Sequence, residues 1–155
     1  MPFHAITTEL ERNSVLCPLT TLEQDGAIRL SVVPFTDTSV DLAEIKKAIC
    51  EDTCLVVMTH GSNVFGSVQD IRPIVEYLHT NDIFFIMDGA QTTGHIPVVS
   101  FDIADIDNHE AGFILTRACT VITRTGLHYA LLIHERIDNG KGCIRVSFSY
   151  FNTCR

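Results

Sequence analysis

Apolar and polar positions along the first hundred residues alternate between two rhythms. Ala5 to Thr8 reads as the end of a strand. Val15, Leu16, Leu19 and Leu22 then recur at helical spacing, with Pro18 expected in the first turn, where its missing N–H is least costly. Ala27 to Phe35 contains a second strand, carried by Ile28, Leu30, Val32 and Val33. Leu42, Ile45 and Ile49 form the stripe of a helix whose other faces hold Glu44, Lys46 and Lys47. Cys54 to Met58 is another apolar strand, and Ile71, Ile74, Val75 and Leu78 mark the next helix. Ile83 to Met87 follows the turn pair Asn81 and Asp82 without a polar break. It reads as a strand buried on both faces, as inside a parallel sheet.

Strands and helices alternating at short intervals imply right-handed crossovers, a parallel sheet and an α/β, three-layer arrangement. In open sheets of this kind ligands sit outside the carboxyl ends of the strands. Asp88, Gly89, Ala90 and Gln91 stand at such an end. A carboxylate there can hold a positive ring nitrogen or a metal, or can cap the next segment, and Asp-Gly is also a common turn pair. The run HGSNVFG, His60 to Gly66, falls on the same edge, where Gly61, Asn63 and Gly66 allow a tight loop. On spacing alone it is equally a strand-to-helix connection.

Composition narrows the classes. The 155 residues, 46% of them apolar, suffice for one domain with a core. A formal net charge of -8 argues against a nucleic-acid or anionic-membrane surface. No apolar run approaches the ~20 residues of a membrane span, and MPFHAITTEL has no signal-peptide pattern. Six cysteines, Cys17, Cys50, Cys54, Cys119, Cys143 and Cys154, form no Cys-x-x-Cys pair, and the histidines show no zinc spacing. Reduced thiols in a cytoplasmic protein are the expectation, with no metal.

HGSNVFG, DGAQTTG at Asp88 to Gly94, and Thr8 to Glu11 before Asn13 to Leu16 together resemble the class V aminotransferases, in their cysteine desulfurase and selenocysteine lyase branch. RTGLHYALLIH at Arg124 to His134 and IRVSFSYFNT at Ile144 to Thr153 are similar to the C-terminal domain of that family. The resemblance implies a pyridoxal 5'-phosphate (PLP) enzyme of fold type I acting on a cysteine-like amino acid. Residues 1-117 would be part of the large domain, and residues 118-155 a small C-terminal α+β piece. Asp88 would pair with the protonated pyridine nitrogen, keeping the ring an electron sink. Asn63 and Gln91 would hydrogen-bond the phenolic oxygen, Ala90 would pack on a ring face, and Arg145 would clamp the substrate carboxylate.

The same resemblance exposes departures. Arg12 stands where the family has its ring-stacking histidine, and the family's phosphate-binding turn belongs to a segment before this chain's start. Gly112, Phe113 and Ile114 fall where a Gly-His-Lys triplet would supply the imine, and the three lysines, Lys46, Lys47 and Lys141, match no such position. Tyr129 follows His128 where desulfurases carry the acceptor cysteine, and a phenol is no sulfur acceptor. Arg124 reads as a surface partner to nearby acids. No catalytic residue is therefore assigned. The expectation is a desulfurase-like chain, truncated and internally deleted, with little or no catalysis and uncovered apolar faces that favour self-association. The alternative is a small α/β binding or interaction module with a cleft near Asn63 and Asp88.

Overall fold

The computed structural model describes residues 2–92 and 98–147. The ends of the Ile83 to Pro97 and Asp88 to Gly94 stretches, and the tail after Ser147 with Cys154, lie outside the described residues. The first half runs β1 (Phe3–Thr8), α1 (Asn13–Gln24), β2 (Ile28–Val33), α2 (Leu42–Ala48), β3 (Thr53–Thr59), α3 (Arg72–Thr80) and β4 (Phe84–Asp88). Its four strands form a parallel sheet in the order β2-β1-β3-β4. The chain steps from β1 to β2 in one direction, then to β3 and β4 in the other. Right-handed crossovers then place α1 on one face of the sheet and α2 and α3 on the opposite face.

The core lies on the α2/α3 face. Ile6, Val33, Val56 and Met58 from the sheet meet Ile45 of α2 and Ile74 and Leu78 of α3, all buried. Local signals agree with this arrangement. Asp41 caps α2 by accepting the Ala43 N–H at 2.8 Å, with Glu44 in its first turn and Lys46 and Lys47 in its last. One expectation differs in detail. Pro18 lies in the interior of α1, because the helix starts at Asn13 rather than near the proline. That start is fixed by a tertiary bond, the Asn13 N–H donating to the Tyr129 carbonyl at 2.8 Å.

β4 forms where expected but is not buried on both faces. Phe84 is 77% exposed and Ile86 54%, and Met87 is exposed as well. Among the described residues β4 is the end strand of the sheet, and α1, the helix on the Phe84 and Ile86 face, packs at the far side against β2. An uninterrupted apolar run records hydrophobicity, not the presence of a covering layer.

The second half adds β5 (Val98–Phe101), α4 (Asn108–Ala118), β6 (Arg124–Gly126), α5 (Leu131–Asp138) and β7 (Cys143–Ser147). An antiparallel sheet of order β5-β7-β6 draws on residues either side of 117. Ala130, Ile133 and Cys143 join the core of the parallel sheet, so α5 and β7 dock against it.

Candidate functional site

The reversal of direction in the order β2-β1-β3-β4 creates a switch point between β1 and β3, where loops at the carboxyl ends diverge and leave a crevice. Three segments meet there: Glu9 to Arg12 after β1, His60 to Gly66 after β3, and Asp88 to Thr92 at the end of β4. The His60 N–H donates to the Asp88 carbonyl at 2.9 Å, and the His60 ring bonds the Thr92 hydroxyl at 2.9 Å, joining two of the three. Close approach explains the glycines. A Cβ on Gly61 would stand 2.6 Å from Thr92 Cγ2, and one on Gly66, whose φ is +72°, would collide with the Val98 carbonyl oxygen.

Between these loops and the second unit lies a cavity of about 270 Å³ lined by Arg12, Asn13, Ser14, Asn63, Gln91, His128, Tyr129 and Arg145. Hydrogen bonds tie its walls together. Asn63 Nδ2 donates to the His128 carbonyl at 2.5 Å, and Arg145 Nη1 donates to the Asn63 carbonyl at 3.0 Å. The His128 ring bonds the Cys143 carbonyl through Nε2 at 3.1 Å, which leaves Nδ1 as the unprotonated nitrogen, buried and without a partner among the described residues. Burial drives the His128 pKa down to about 4; the Cys143 carbonyl opposes the shift, and Arg145, His134 and Arg124 add to it. The imidazole is neutral near pH 7. His128 and Tyr129 both adopt positive φ, 50° and 60°, which turns this loop into the cavity.

Arg12 is the N-cap of α1, an unfavourable place for a cation, and its side chain makes no capping bond. It reaches Asp88 instead: Arg12 Nη2 donates to Asp88 Oδ2 at 2.6 Å, with the two side chains 23% and 15% exposed. The second carboxylate oxygen, Oδ1, accepts the Ala90 N–H at 2.9 Å. Burial alone would raise the Asp88 pKa; the Arg12 hydrogen bond, the Ala90 amide and the guanidinium charge outweigh it and hold the group below the usual range.

Glu11, beside this pair, is fully buried. Its Oε1 accepts the Thr8 hydroxyl at 2.7 Å and the Thr59 N–H at 2.8 Å, tying the ends of β1 and β3 together, while Oε2 has no partner among the described residues. Burial pushes its pKa up to about 7. Thr8 and Thr59 pull it down, Asp88 pushes it up and Arg12 pulls it down.

The structure thus brings Asn63, Gln91 and Arg145 into one cavity wall. Asp88 joins them only through Arg12, and Ala90 is exposed outside the wall. Ile114 lies in α4, which contributes no residue to that wall, and Gly112 packs against Thr125 of β6. Lys46 lies over the Tyr77 ring, Lys47 pairs with Glu44, and Lys141 is exposed in the α5–β7 turn. Arg124 stacks over Tyr129, at 5.6 Å from the ring centroid, rather than pairing with an acid. His128, Asn13 and Ser14 were not singled out as binding residues from the sequence. The only signal for them was proximity to a motif, since the left-handed turn that aims His128 has no glycine to announce it.

The family described as Aminotransferase class-V matches residues 3–99. Cysteine desulfurase IscS of Photobacterium profundum is 33% identical over 111 residues, covering 69% of this chain and 28% of that protein. The apo cysteine desulfurase of Thermococcus onnurineus NA1 superposes with a TM-score of 0.89 at 15% identity, covering 98% of this chain and 69% of that one. The cysteine desulfurase CsdA of Escherichia coli gives 0.89 at 12% identity, covering 98% and 68%. At such identities the structural likeness establishes the fold, that of fold type I. The match to the curated relatives spans 28% of their length.

Proposed function

The chain belongs to the class-V aminotransferase family, and from that premise we propose that it is a desulfurase-like protein with little or no catalysis of its own. Enzymes of this family depend on PLP, which supplies an electron sink when linked to a lysine. The observation that carries the reading is the placement of the lysines. Lys46 and Lys47 are on α2 and Lys141 is on an exposed turn, and none lines the cavity at the switch point. The residues present do not fit a lysine-linked cofactor.

In this reading Asn63, Asp88, Ala90 and Gln91 occupy the family's cofactor positions, and Arg145 the position that receives the carboxylate of a cysteine-like amino acid. Tyr129 stands where the sulfur acceptor would be, and a phenol is no sulfur acceptor. We place the protein in the cytoplasm, self-associated through the exposed face of β4, with no nucleic-acid or membrane partner. No helix among the described residues is long and apolar enough to cross a membrane. The second reading, a small α/β binding module with its cleft near Asn63 and Asp88, draws support from the cavity lined by Asn63 and its two guanidinium groups.

PLP titration followed by absorbance, borohydride reduction and peptide mapping tests the first reading. The expected result is no saturable imine band and no uniquely labelled lysine. One stoichiometrically labelled lysine would overturn it and identify an unforeseen catalytic group.

A further inference from the structure

The cavity at the switch point presents a guanidinium where the fold would present a carboxylate. Arg12 is in its wall and Asp88 is not. Both Asp88 oxygens are engaged, Oδ2 by Arg12 at 2.6 Å and Oδ1 by the Ala90 N–H at 2.9 Å. The Arg12 backbone is fixed as well, because its carbonyl accepts the Val15 and Leu16 N–H groups at 2.9 and 3.0 Å at the start of α1. A second cation, Arg145, faces the same space, and the wall contains no acidic side chain. A guanidinium carries five donors and no acceptor. It cannot receive the N–H of a protonated pyridine, and its charge repels that ring.

We infer that Arg12 replaces the cationic ring as the partner of Asp88, and so excludes a protonated pyridine ring from the cavity. Arg12 is thus a specificity-determining residue whose role is exclusion. The inference rests on the reading that Asp88 occupies the family's ring-nitrogen position, but it is independent of the lysine question. Deleting the missing chemistry from a PLP enzyme removes turnover; placing Arg12 on Asp88 removes ring recognition as well. The local irregularity of the sequence agrees. A cation at a helix N-cap without a capping bond runs against the helix dipole, and the Asp88 carboxylate compensates it.

The probe is pyridoxine 5'-phosphate, which has the ring and phosphate but no aldehyde and so forms no imine. Its binding to the intact chain, to Arg12→His and to Arg12→Gln is measured by equilibrium dialysis, with far-UV circular dichroism confirming that each variant is folded. The expected result is that both variants bind at least ten-fold more tightly than the unmodified chain, and that adding Asp88→Asn to either abolishes the gain. The glutamine variant keeps the test open if the histidine variant does not fold. Equal affinity in the unmodified chain and the variants, or a gain that survives Asp88→Asn, overturns the inference. Failure here is distinguishable from failure of the functional reading: a borohydride-trapped lysine with PLP overturns that reading, whereas tight pyridoxine 5'-phosphate binding by the unmodified chain overturns only this one.

Discussion

Arg12 and Asp88 are 76 positions apart in the chain and 2.6 Å apart in the fold, one at the N-cap of α1 and the other at the end of β4. The pair bridges the switch point and ties the first crossover helix to the last strand of the parallel sheet. Each side chain is less than a quarter exposed, so removing one partner strands a charge that water only partly reaches.

Asp88→Asn is therefore expected to destabilise the chain by about 1–3 kcal/mol, the usual range for a hydrogen bond to a charged group left unmatched. Denaturant unfolding of Asp88→Asn, Arg12→Gln and the double variant provides the check. The double variant should lose less than the sum of the single losses, since each single change already breaks the shared contact. Strict additivity would show that the pair contributes nothing as a pair.

Glu11 makes a pH prediction with a definite sign. Its folded pKa of about 7 lies above the ordinary 4.5, so the folded chain holds this proton where the unfolded chain has released it. Stability from this group is fully present below pH 4.5, falls as pH rises from there, and levels off above about 7. The total loss is about 3 kcal/mol from a shift of this size. Glu11→Gln keeps an acceptor for Thr8 and Thr59 but does not titrate. Subtracting its pH–stability curve from that of the unmodified chain isolates the effect, and a flat difference between pH 4.5 and 7 would refute it.

The order of strands and helices was legible because each apolar run has one dominant period and each crossover is short. The edge on which HGSNVFG and DGAQ would meet was legible too, since parallel strands put their carboxyl ends together. What Asp88 does there was not. A carboxylate at a strand end is compatible with a ring nitrogen, a metal or a turn, and its actual partner comes from a residue 76 positions away. The exposure of β4 escaped for a similar reason: covering layers come from elsewhere in the chain. His128 was hidden because its positive φ is imposed by tertiary bonds around the cavity, not by a glycine.

Gly66 offers a comparison with an internal control. Gly66 and Gly26 have nearly the same backbone, φ +72° and +70°, yet a Cβ at 66 meets the Val98 carbonyl while one at 26 meets nothing within 4 Å. Gly26→Ala should cost about 1 kcal/mol, the penalty for a left-handed residue with a side chain. Gly66→Ala should cost roughly 2–4 kcal/mol, because collision adds to strain and the loop must leave β5. Thermal or denaturant unfolding of the two variants separates the contributions. Equal losses would mean that the loop relaxes freely, and that its packing on β5 does not hold the site.

The exposed face of β4 carries the last prediction. Phe84 and Ile86 point to the same side of the sheet, 77% and 54% exposed, on a strand whose outer edge has no partner among the described residues. An apolar face beside an open strand edge favours association, through packing of the face or pairing of the edge. Phe84→Thr with Ile86→Thr removes most of the apolar surface while placing β-branched residues that suit a strand. Because both side chains are largely in water already, the double variant should change the stability of an isolated chain little, within about 0.5 kcal/mol. Its weight should appear in sedimentation instead. The unmodified chain is expected to show a sedimentation coefficient that rises with concentration, and the double variant a smaller, flatter value. A unmodified chain that sediments as a monomer over the same range would leave the face with no role in assembly. Association that persists unchanged in the double variant would move the contact from the face of β4 to its unpaired edge.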